Sequence, residues 1–589
     1  MRVAVLLEER CKPNSNAFAY LQKYAAMCER DCIQVEDNKC KILETACPVC
    51  LTRAKHCPDN AVKIINLPEE LDHDMTHSYG KNGFRLFRLP SPREEQVVGI
   101  LGPNGIGKST AINILSGSIR PNLGDLDNPL PDWQEVVNSF PRGELRDYLG
   151  LLSEDGVSIS VKPQYIDKLP KIFEGDVCEL LDRVDERGEV SEFAGLLGIE
   201  HILNRKLVDL SGGELQRVAI CATLLKEADV YFFDEPSSYL DIYERMRMVG
   251  IVQSLASRGK RVLVVEHDLA ILDVLCDLIH VIYGERAAYG IFTPPRSTRT
   301  AINAYLEGFL TEENVRIRDK PIQFLRARDR GEEVGIPLLK WGDMEKKLGD
   351  FELTTGEGQV RSAEVVGVVG PNSTGKTTMV RIIAGEMEPD QGWCTMDSVV
   401  SYKPQHVSTD FEGTVTDWLD SEIGPTWRSG EFRTQVIRAL QVDQLLELKA
   451  KKLSGGELQA VSIAICLGKE ADLYLFDEPS AHLDANARME AAKAIRRTME
   501  SNEKAAMVID HDTYFIDIVS DSLLVFQGEG GRAGHAVGPL SLRKGMNLFL
   551  SDVGVTFRRD VESQRPRINK PSSRKDREQK SSGEYFYSK

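Results

Sequence analysis

The stretch GPNGIGKST, residues 102–110, decides the fold of this chain. It follows a β-like apolar run, QVVGIL at 96–101, and leads into a helical pattern. A glycine-rich loop between a strand and a helix is the setting in which backbone N–H groups and a helix N-terminus cradle phosphate oxygens. Gly102, Asn104, Gly105 and Gly107 would shape the cradle. Lys108 would neutralise the outer phosphates, and the Ser109 hydroxyl, beside Thr110, would ligate Mg²⁺.

The same stretch returns as GPNSTGKTT at 370–378, after EVVGVV at 364–369, and supplies Gly370, Asn372, Thr374, Gly375, Lys376, Thr377 and Thr378. KPQ at 162–164 recurs at 403–405, LSGGELQ at 210–216 at 453–459, and FDEP at 233–236 at 476–479. EHD at 266–268 is answered by DHD at 510–512. Ser211 to Asp234 and Ser454 to Asp477 are each 23 residues apart, so the chain holds two homologous α/β domains in tandem. One interval breaks the match: Lys108 to Gln164 is 56 residues and Lys376 to Gln405 is 29, which leaves an insertion of 27 in the first repeat. It is placed at 132–152, DWQEVVNSFPRGELRDYLGLL, read as two short helices around a break at Pro141, Arg142 and Gly143.

The repeated acids and bases suit triphosphate hydrolysis. Asp234 and Asp477, ending apolar strands, would hold the Mg²⁺ shell with Ser109, Thr377, Gln164 and Gln405. Glu235 and Glu478 would polarise water, and His267 and His511 would reach the γ-phosphate. Ser211 and Gly213, like Ser454 and Gly456, open helices whose N-termini offer a second anion clamp.

A chain of 589 residues has room for three or four domains. It contains no run of eighteen apolar residues, and VAVLL at 3–7 is too short for a signal peptide, so no membrane span and a cytoplasmic location are expected. A formal charge of -17 argues against a protein that coats naked nucleic acid. Arg558 to Lys589 is nevertheless basic, with ten Lys or Arg against five Asp or Glu, and its last residues are polar enough to be partly disordered. Seven of the twelve cysteines fall in the first sixty residues, which suggests metal ligation or burial rather than disulfides.

Together the loop, the paired acids and LSGGELQ resemble the ABC ATPase superfamily. IINLP at 64–68, HSYGKNGFRLFRLP at 77–90, FFDEPSSYLD at 232–241, TFRRD at 556–560 and RPRINK at 565–570 narrow the resemblance to the ABCE-type ribosome-recycling factors, the RNase L inhibitor family. The resemblance covers nearly the whole chain. It implies an α/β fold of two tandem P-loop ABC domains arranged head to tail, with a small α+β ferredoxin-like domain in front. The expected layout is 1–75 for the Cys-rich domain, 76–295 for the first ATPase domain with a helix-loop-helix near 132–152, 296–330 for a first hinge, 331–538 for the second ATPase domain, and 539–589 for a second hinge and basic tail. One ATP would lie between Lys108 and Ser454, the other between Lys376 and Ser211. The family's work is ATP-driven splitting of post-termination or stalled ribosomes, linking termination to initiation. Implied partners are the small ribosomal subunit and its RNA, a class-1 release factor or Pelota, and initiation factors, with the chain a monomer whose ATPase domains pair internally.

The chain departs from the family at its front. Two [4Fe-4S] clusters would need eight cysteines in ferredoxin-like runs. Cys11, Cys47, Cys50 and Cys57 stand in place, whereas Asn16, Tyr20, Tyr24 and Arg53 occupy the other four positions. The first expectation is loss of both clusters. The second is a rescued metal site, for instance zinc on Cys28, Cys32, Cys47 and Cys50. Ser373 for glycine, His482 opposite Tyr239, Ala460 opposite Arg217 and Asp510 opposite Glu266 suggest two unequal ATP sites. Two other functions compete: an ABC-F-like translation factor that binds ribosomes without splitting them, and the ATPase subunit of a transporter. A DNA-repair ATPase is disfavoured because no long coiled coil separates the motifs.

Overall fold

Strand Val97–Leu101, buried along its whole length, is the centre of a sheet because its apolar residues face helices on both sides. In this computed structural model it pairs in parallel with Arg261–Val265 and with Leu278–Glu285. The parallel set continues through Val230–Asp234 to Ile159–Lys162. Beyond Leu278–Glu285 the sheet turns antiparallel, to Tyr289–Phe292, and ends on the hairpin of Met75–Ser78 with Arg85–Phe87. The structure describes residues 2–586 except 8–9, 14, 28–31, 37–38, 43–55, 59–60, 67–73, 323, 325–334, 396–398, 406 and 408–409.

The second repeat builds the same strand order around Val365–Val369. Ala505–Ile509, Leu473–Asp477 and Val400–Lys403 lie to one side in parallel, with Ser522–Glu529 on the other. Ala533–Ser541 pairs antiparallel with Ser522–Glu529 and parallel with Phe351–Thr355, whose hairpin with Met344–Leu348 ends the sheet. In both sheets the phosphate loop, the paired acids and the histidine leave the carboxyl ends of adjacent parallel strands, where open α/β sheets bind ligands. The expected limits at 75, 295 and 538 sit inside or against paired strands: Met75–Ser78, Arg296–Ser297 and Ala533–Ser541 all belong to the sheets, so backbone pairing carries each repeat past its motif-based edge.

The insertion folds as two helices, Trp133–Ser139 and Glu144–Ser153, on either side of residues 141–143. An Asp132–Glu135 capping box starts the first. Buried Tyr148 anchors the second by donating its hydroxyl to Leu115 O (2.5 Å), at the end of the helix that Lys108 begins. At the other terminus the expected partly disordered tail instead carries helix Arg574–Ser582, started by Ser573 and packed through buried Asp576 and Gln579. Composition alone missed those two buried polar anchors: Asp576 accepts from Thr556 Oγ1 at 2.7 Å, and Gln579 Nε2 donates to Phe557 O at 2.9 Å.

The N-terminal domain is α+β. Arg2–Leu6 pairs with Val62–Asn66, Ile33–Glu36 pairs with Lys39–Ile42, and helix Asn16–Ala26 packs Ala17, Phe18 and Leu21 into a small core. Buried Asn82, from the edge hairpin of the first repeat, ties this domain down. Its amide donates to Ala4 O and Ile42 O (both 2.9 Å), and its Oδ1 accepts from Ile42 N at 2.8 Å.

The two repeats meet around the C-terminal segment. Phe557–Arg559 and Pro566–Ile568 form a hairpin lodged between helix Leu269–Leu275 of the first repeat and helix Thr513–Val519 of the second. Asp273, buried, receives Arg567 through two bonds of 2.7 and 2.9 Å and Arg565 at 3.4 Å. Arg565, with no exposed surface, also reaches Asn303 Oδ1 (3.2 Å) and Tyr514 OH (3.4 Å). Asp273→Asn removes the charge that compensates two arginines, and the expected cost is about 3–5 kcal/mol of segment docking. Limited proteolysis checks it: cleavage within 557–573 should accelerate, and an unchanged pattern refutes the account.

Candidate active site

Gly105 and Gly107 adopt left-handed φ values of 74° and 101°, which let the loop wrap back over the start of helix Lys108–Leu115. At Gly102 an added Cβ would sit 2.4 Å from Ile282 O, so only glycine fits. The loop's backbone is thereby aimed at the space where phosphate would lie. The second loop keeps this shape at Gly370 and Gly375, although Ser373 must take φ 58° where the first repeat has glycine.

Lys108 is buried and satisfied by the loop itself, donating to Gly102 O and Pro103 O (both 2.9 Å). Its counterpart Lys376 does the same at 2.7 Å to Gly370 O and Pro371 O. Burial lowers both ammonium groups to about 8, against the pull of the neighbouring carboxylates. A triphosphate entering the loop would supply the anion that each lysine lacks.

The acids are arranged alike in both repeats. Ser109 Oγ donates to Asp234 (3.3 Å) and Thr377 Oγ1 to Asp477 (3.2 Å). Gln164 donates to Glu235 at 2.6 Å and Gln405 to Glu478 at 2.7 Å, while His267 and His511 each stand 3.5 Å from the same glutamate. Burial, then the adjacent glutamate charge, pushes Asp234 and Asp477 up to about 6. Burial would also raise Glu235 and Glu478, but hydrogen bonds and charge from His267 or His511, from the loop lysine and from the glutamine outweigh it. Both glutamates are held well below the usual range and stay ionised. Each also sits at a left-handed φ, 48° and 46°, a strained backbone repeated at equivalent positions.

Two pairs of residues hold that strain, and motif reading gave them no role. Lys162 Nζ donates to Asp234 O (3.0 Å) and Glu235 O (3.3 Å), and Lys403 Nζ to Asp477 O (2.7 Å) and Glu478 O (3.3 Å). Gln216 and Gln459 donate to Glu235 O (2.8 Å) and Glu478 O (2.6 Å). The signal was present: these are the lysine of KPQ and the last glutamine of LSGGELQ, repeated in both halves.

Ser211 and Ser454 cap helices Gly212–Leu224 and Gly455–Gly468; Ser454 shares a cavity with the first phosphate loop, and Gly213, beside Ser211, lies against Asn372 of the second. A cavity of about 700 Å³ is lined by Gly105, Lys108, Asp234 and Glu235 from the first repeat and by Ser454 and Gly456 from the second. Cross-contacts join the repeats at both sites, with different closeness. Asn372 takes 2.8 Å to Asp241 and 3.1 Å to Glu244, whereas Asn104 takes 3.4 Å to Asp484 and 3.4 Å to His482 O. Ala487 stands where Glu244 would be, which removes one bridge from the looser site. Between the sites Tyr239 OH and His482 Nε2 lie 3.2 Å apart. Asp510 replaces Glu266 without loss, because Ser480 Oγ closes the gap at 2.7 Å.

Comparison with known proteins accords with this geometry. A family model described as ABC transporter matches residues 91–238 and 353–481. An uncharacterised ABC transporter ATP-binding protein of Methanocaldococcus jannaschii is 45% identical over 100% of this chain and 98% of its own length. ABC transporter E family member 1 of Arabidopsis thaliana is 41% identical over 100% of this chain and 98% of its own. The chain belongs to the ABCE family of ABC ATPases. Translation initiation factor RLI1 of Saccharomyces cerevisiae is 40% identical, again over 100% and 98%. Among solved structures, a model of ribosome-bound archaeal Pelota and ABCE1 matches at TM-score 0.94 and 46% identity, covering 100% of this chain and 99% of that one. A complex of archaeal ribosomal stalk protein aP1 with archaeal ribosome recycling factor aABCE1 matches at TM-score 0.83 and 47% identity, covering 88% and 100%. As an ABCE protein the chain is an ATP-hydrolysing enzyme with two ATPase domains in one polypeptide.

Among the described residues the N-terminal cysteines do not reproduce a cluster's ligand set. Asn16, Tyr20 and Tyr24 fall on one face of helix Asn16–Ala26, where iron would need thiolates. Cys57 donates its thiol hydrogen to Ala17 O (3.7 Å), and Cys11 hydrogen-bonds Cys40, which raises its thiol far above the usual range. Both lie with Phe18, Leu21 and Ile42 in a packed apolar core. Among the described residues no three His, Cys, Asp or Glu are grouped to hold a metal ion. Cys32 is buried, while Cys28, Cys47 and Cys50, the remaining candidates, lie outside the described residues.

Lys162→Met tests the support of the first glutamate. Losing a buried charged donor to two carbonyls should lower turnover at that site about tenfold while ATP binding persists. Turnover and nucleotide affinity measured on the same preparation decide it; unchanged turnover removes Lys162 from the site.

Proposed function

We propose that this chain splits ribosomes into subunits, driven by ATP binding and hydrolysis at two sites shared between its ATPase domains. The observation that carries the reading is the cavity in which Lys108 and Glu235 of one domain face Ser454 and Gly456 of the other. ATP filling such a site binds both domains at once, so binding favours closure and loss of the γ-phosphate favours opening. Asp234 and Asp477, with Ser109 and Thr377, hold Mg²⁺. Mg²⁺ bound there would polarise the phosphate oxygens, Gln164 and Gln405 would join the residues that hold it, and Glu235 and Glu478 would orient water. His267 and His511 contact the γ-phosphate. Tyr148 joins the helix-loop-helix to the helix that Lys108 begins, a short mechanical route from nucleotide to the insertion.

The proposed partners follow the solved relatives, which are described with Pelota on the ribosome and with a ribosomal stalk protein. The small subunit, its RNA, a class-1 release factor or Pelota, and initiation factors are the surfaces on which the closing movement would act, in the cytoplasm. Among the described residues no helix is long and apolar enough to cross a membrane.

Sucrose-gradient sedimentation tests this. Ribosomes incubated with the protein, ATP and a release factor should resolve into subunits; whole ribosomes carrying bound protein would favour the non-splitting alternative. Glu235→Gln with Glu478→Gln should lower ATP turnover by about a hundredfold or more and abolish splitting. Each single variant should change turnover to a different extent, given the unequal cross-contacts, and equal changes would refute unequal sites.

A further inference from the structure

The third residue of each signature helix is a glutamate beside the clamp serine: Ser211 Oγ donates to Glu214 at 2.8 Å and Ser454 Oγ to Glu457 at 2.7 Å. A carboxylate here opposes the γ-phosphate that the serine and helix N-terminus would bind, unless a cation neutralises it. The two repeats supply that cation differently. Glu214 is met within its own domain by Arg205, at 3.1 Å. Six residues before Ser454, where Arg205 has its equivalent, stands Leu448. Glu457 is met instead from the first ATPase domain by Arg286, whose Nη1 lies 3.1 Å from Glu457 Oε1 and whose Nη2 lies 3.4 Å from Ser454 Oγ. The equivalent position in the second repeat carries no cation, because Gly530 follows Gly528 and Glu529 where Arg286 follows Gly284 and Glu285, and Arg532 of that turn pairs with Glu529 instead.

The turn that presents Arg286 is held from its other side by the N-terminal domain. Lys63, in strand Val62–Asn66, donates to Arg286 O at 3.1 Å and pairs with Glu285 at 3.0 Å. A continuous polar chain therefore runs from the N-terminal domain, through the 284–288 turn, to the signature serine of the second ATPase domain. Arg286 also lines the cavity of about 700 Å³.

We propose that Arg286 is a positioning residue for the composite site built on Lys108: it neutralises Glu457 across the interface, so that this signature helix receives ATP only when the domains are closed and Lys63 holds the turn. The site built on Lys376 needs no such bridge, because Arg205 neutralises its signature glutamate in either state. The proposal rests on the composite-site reading above and adds a dependence of one site on the N-terminal domain.

The test uses the full chain carrying Glu478→Gln, so that turnover comes from the Lys108 site. Arg286→Ala should raise KM for ATP about two- to fivefold, the range for a half-exposed ion pair, with little change in kcat. Arg286→Lys should recover part of the loss, and Lys63→Ala should reproduce part of it. Adding Leu448→Arg to Arg286→Ala should restore KM by recreating the arrangement around Glu214, a rescue that a merely structural role for Arg286 would not give. In the Glu235→Gln background, Arg286→Ala should leave KM unchanged. Unchanged KM in the first background, equal changes in both, or failure of Leu448→Arg to rescue overturns the proposal and leaves the composite sites standing. If Glu478→Gln alone abolishes all turnover, the independent-site assignment falls and the proposal falls with it.

Discussion

Asp273 is the charge on which the arrangement of the two ATPase domains depends. A buried carboxylate beside buried Arg565 and half-buried Arg567 is tolerable only while the charges offset one another. The arginines come from the C-terminal segment, the aspartate from the first ATPase domain, and Tyr514 of the second lies against them. The segment therefore ties both domains to one point, about which the proposed closure would turn without separating them. Head-to-tail closure then becomes an internal rearrangement, free of the entropy that two independent molecules would lose on meeting.

The residues proposed to touch nucleotide could be read from sequence because phosphate chemistry fixes both residue type and spacing. Lys108, Asp234 and Glu235 must leave neighbouring strand ends, and the second copy at Lys376, Asp477 and Glu478 repeats the constraint. Residues that support the site were harder to find. Lys162 and Lys403 act on backbone carbonyls, a role that leaves no signature beyond their place in a repeated motif. The ion pairing of the C-terminal segment was not readable: Arg565 and Asp273 are 292 residues apart, and nothing local announces that they meet. Strands Arg296–Ser297 and Ala533–Ser541 pair across the expected limits for a similar reason, since motifs mark chemistry while sheets end where backbone pairing stops.

The N-terminal domain shows a different kind of substitution. Positions that would bear thiolates carry Asn16, Tyr20 and Tyr24, and the interior beside Cys11 and Cys57 is filled by Phe18, Leu21 and Ile42. Its attachment rests on Asn82, whose one amide satisfies backbone groups of both small sheets. A domain held this way transmits force through shape and hydrogen bonds, and Lys63 gives that force an address in the adjoining turn.

The contact between Tyr239 and His482 also bears on how this protein is inherited. A phenol and an imidazole form a complementary pair; two copies of either repeat would place like against like. The same holds for Asn372, which finds Glu244 only because the opposing half is not its twin. The two halves thus meet through unlike residues at these contacts, and one reading frame delivers both halves together.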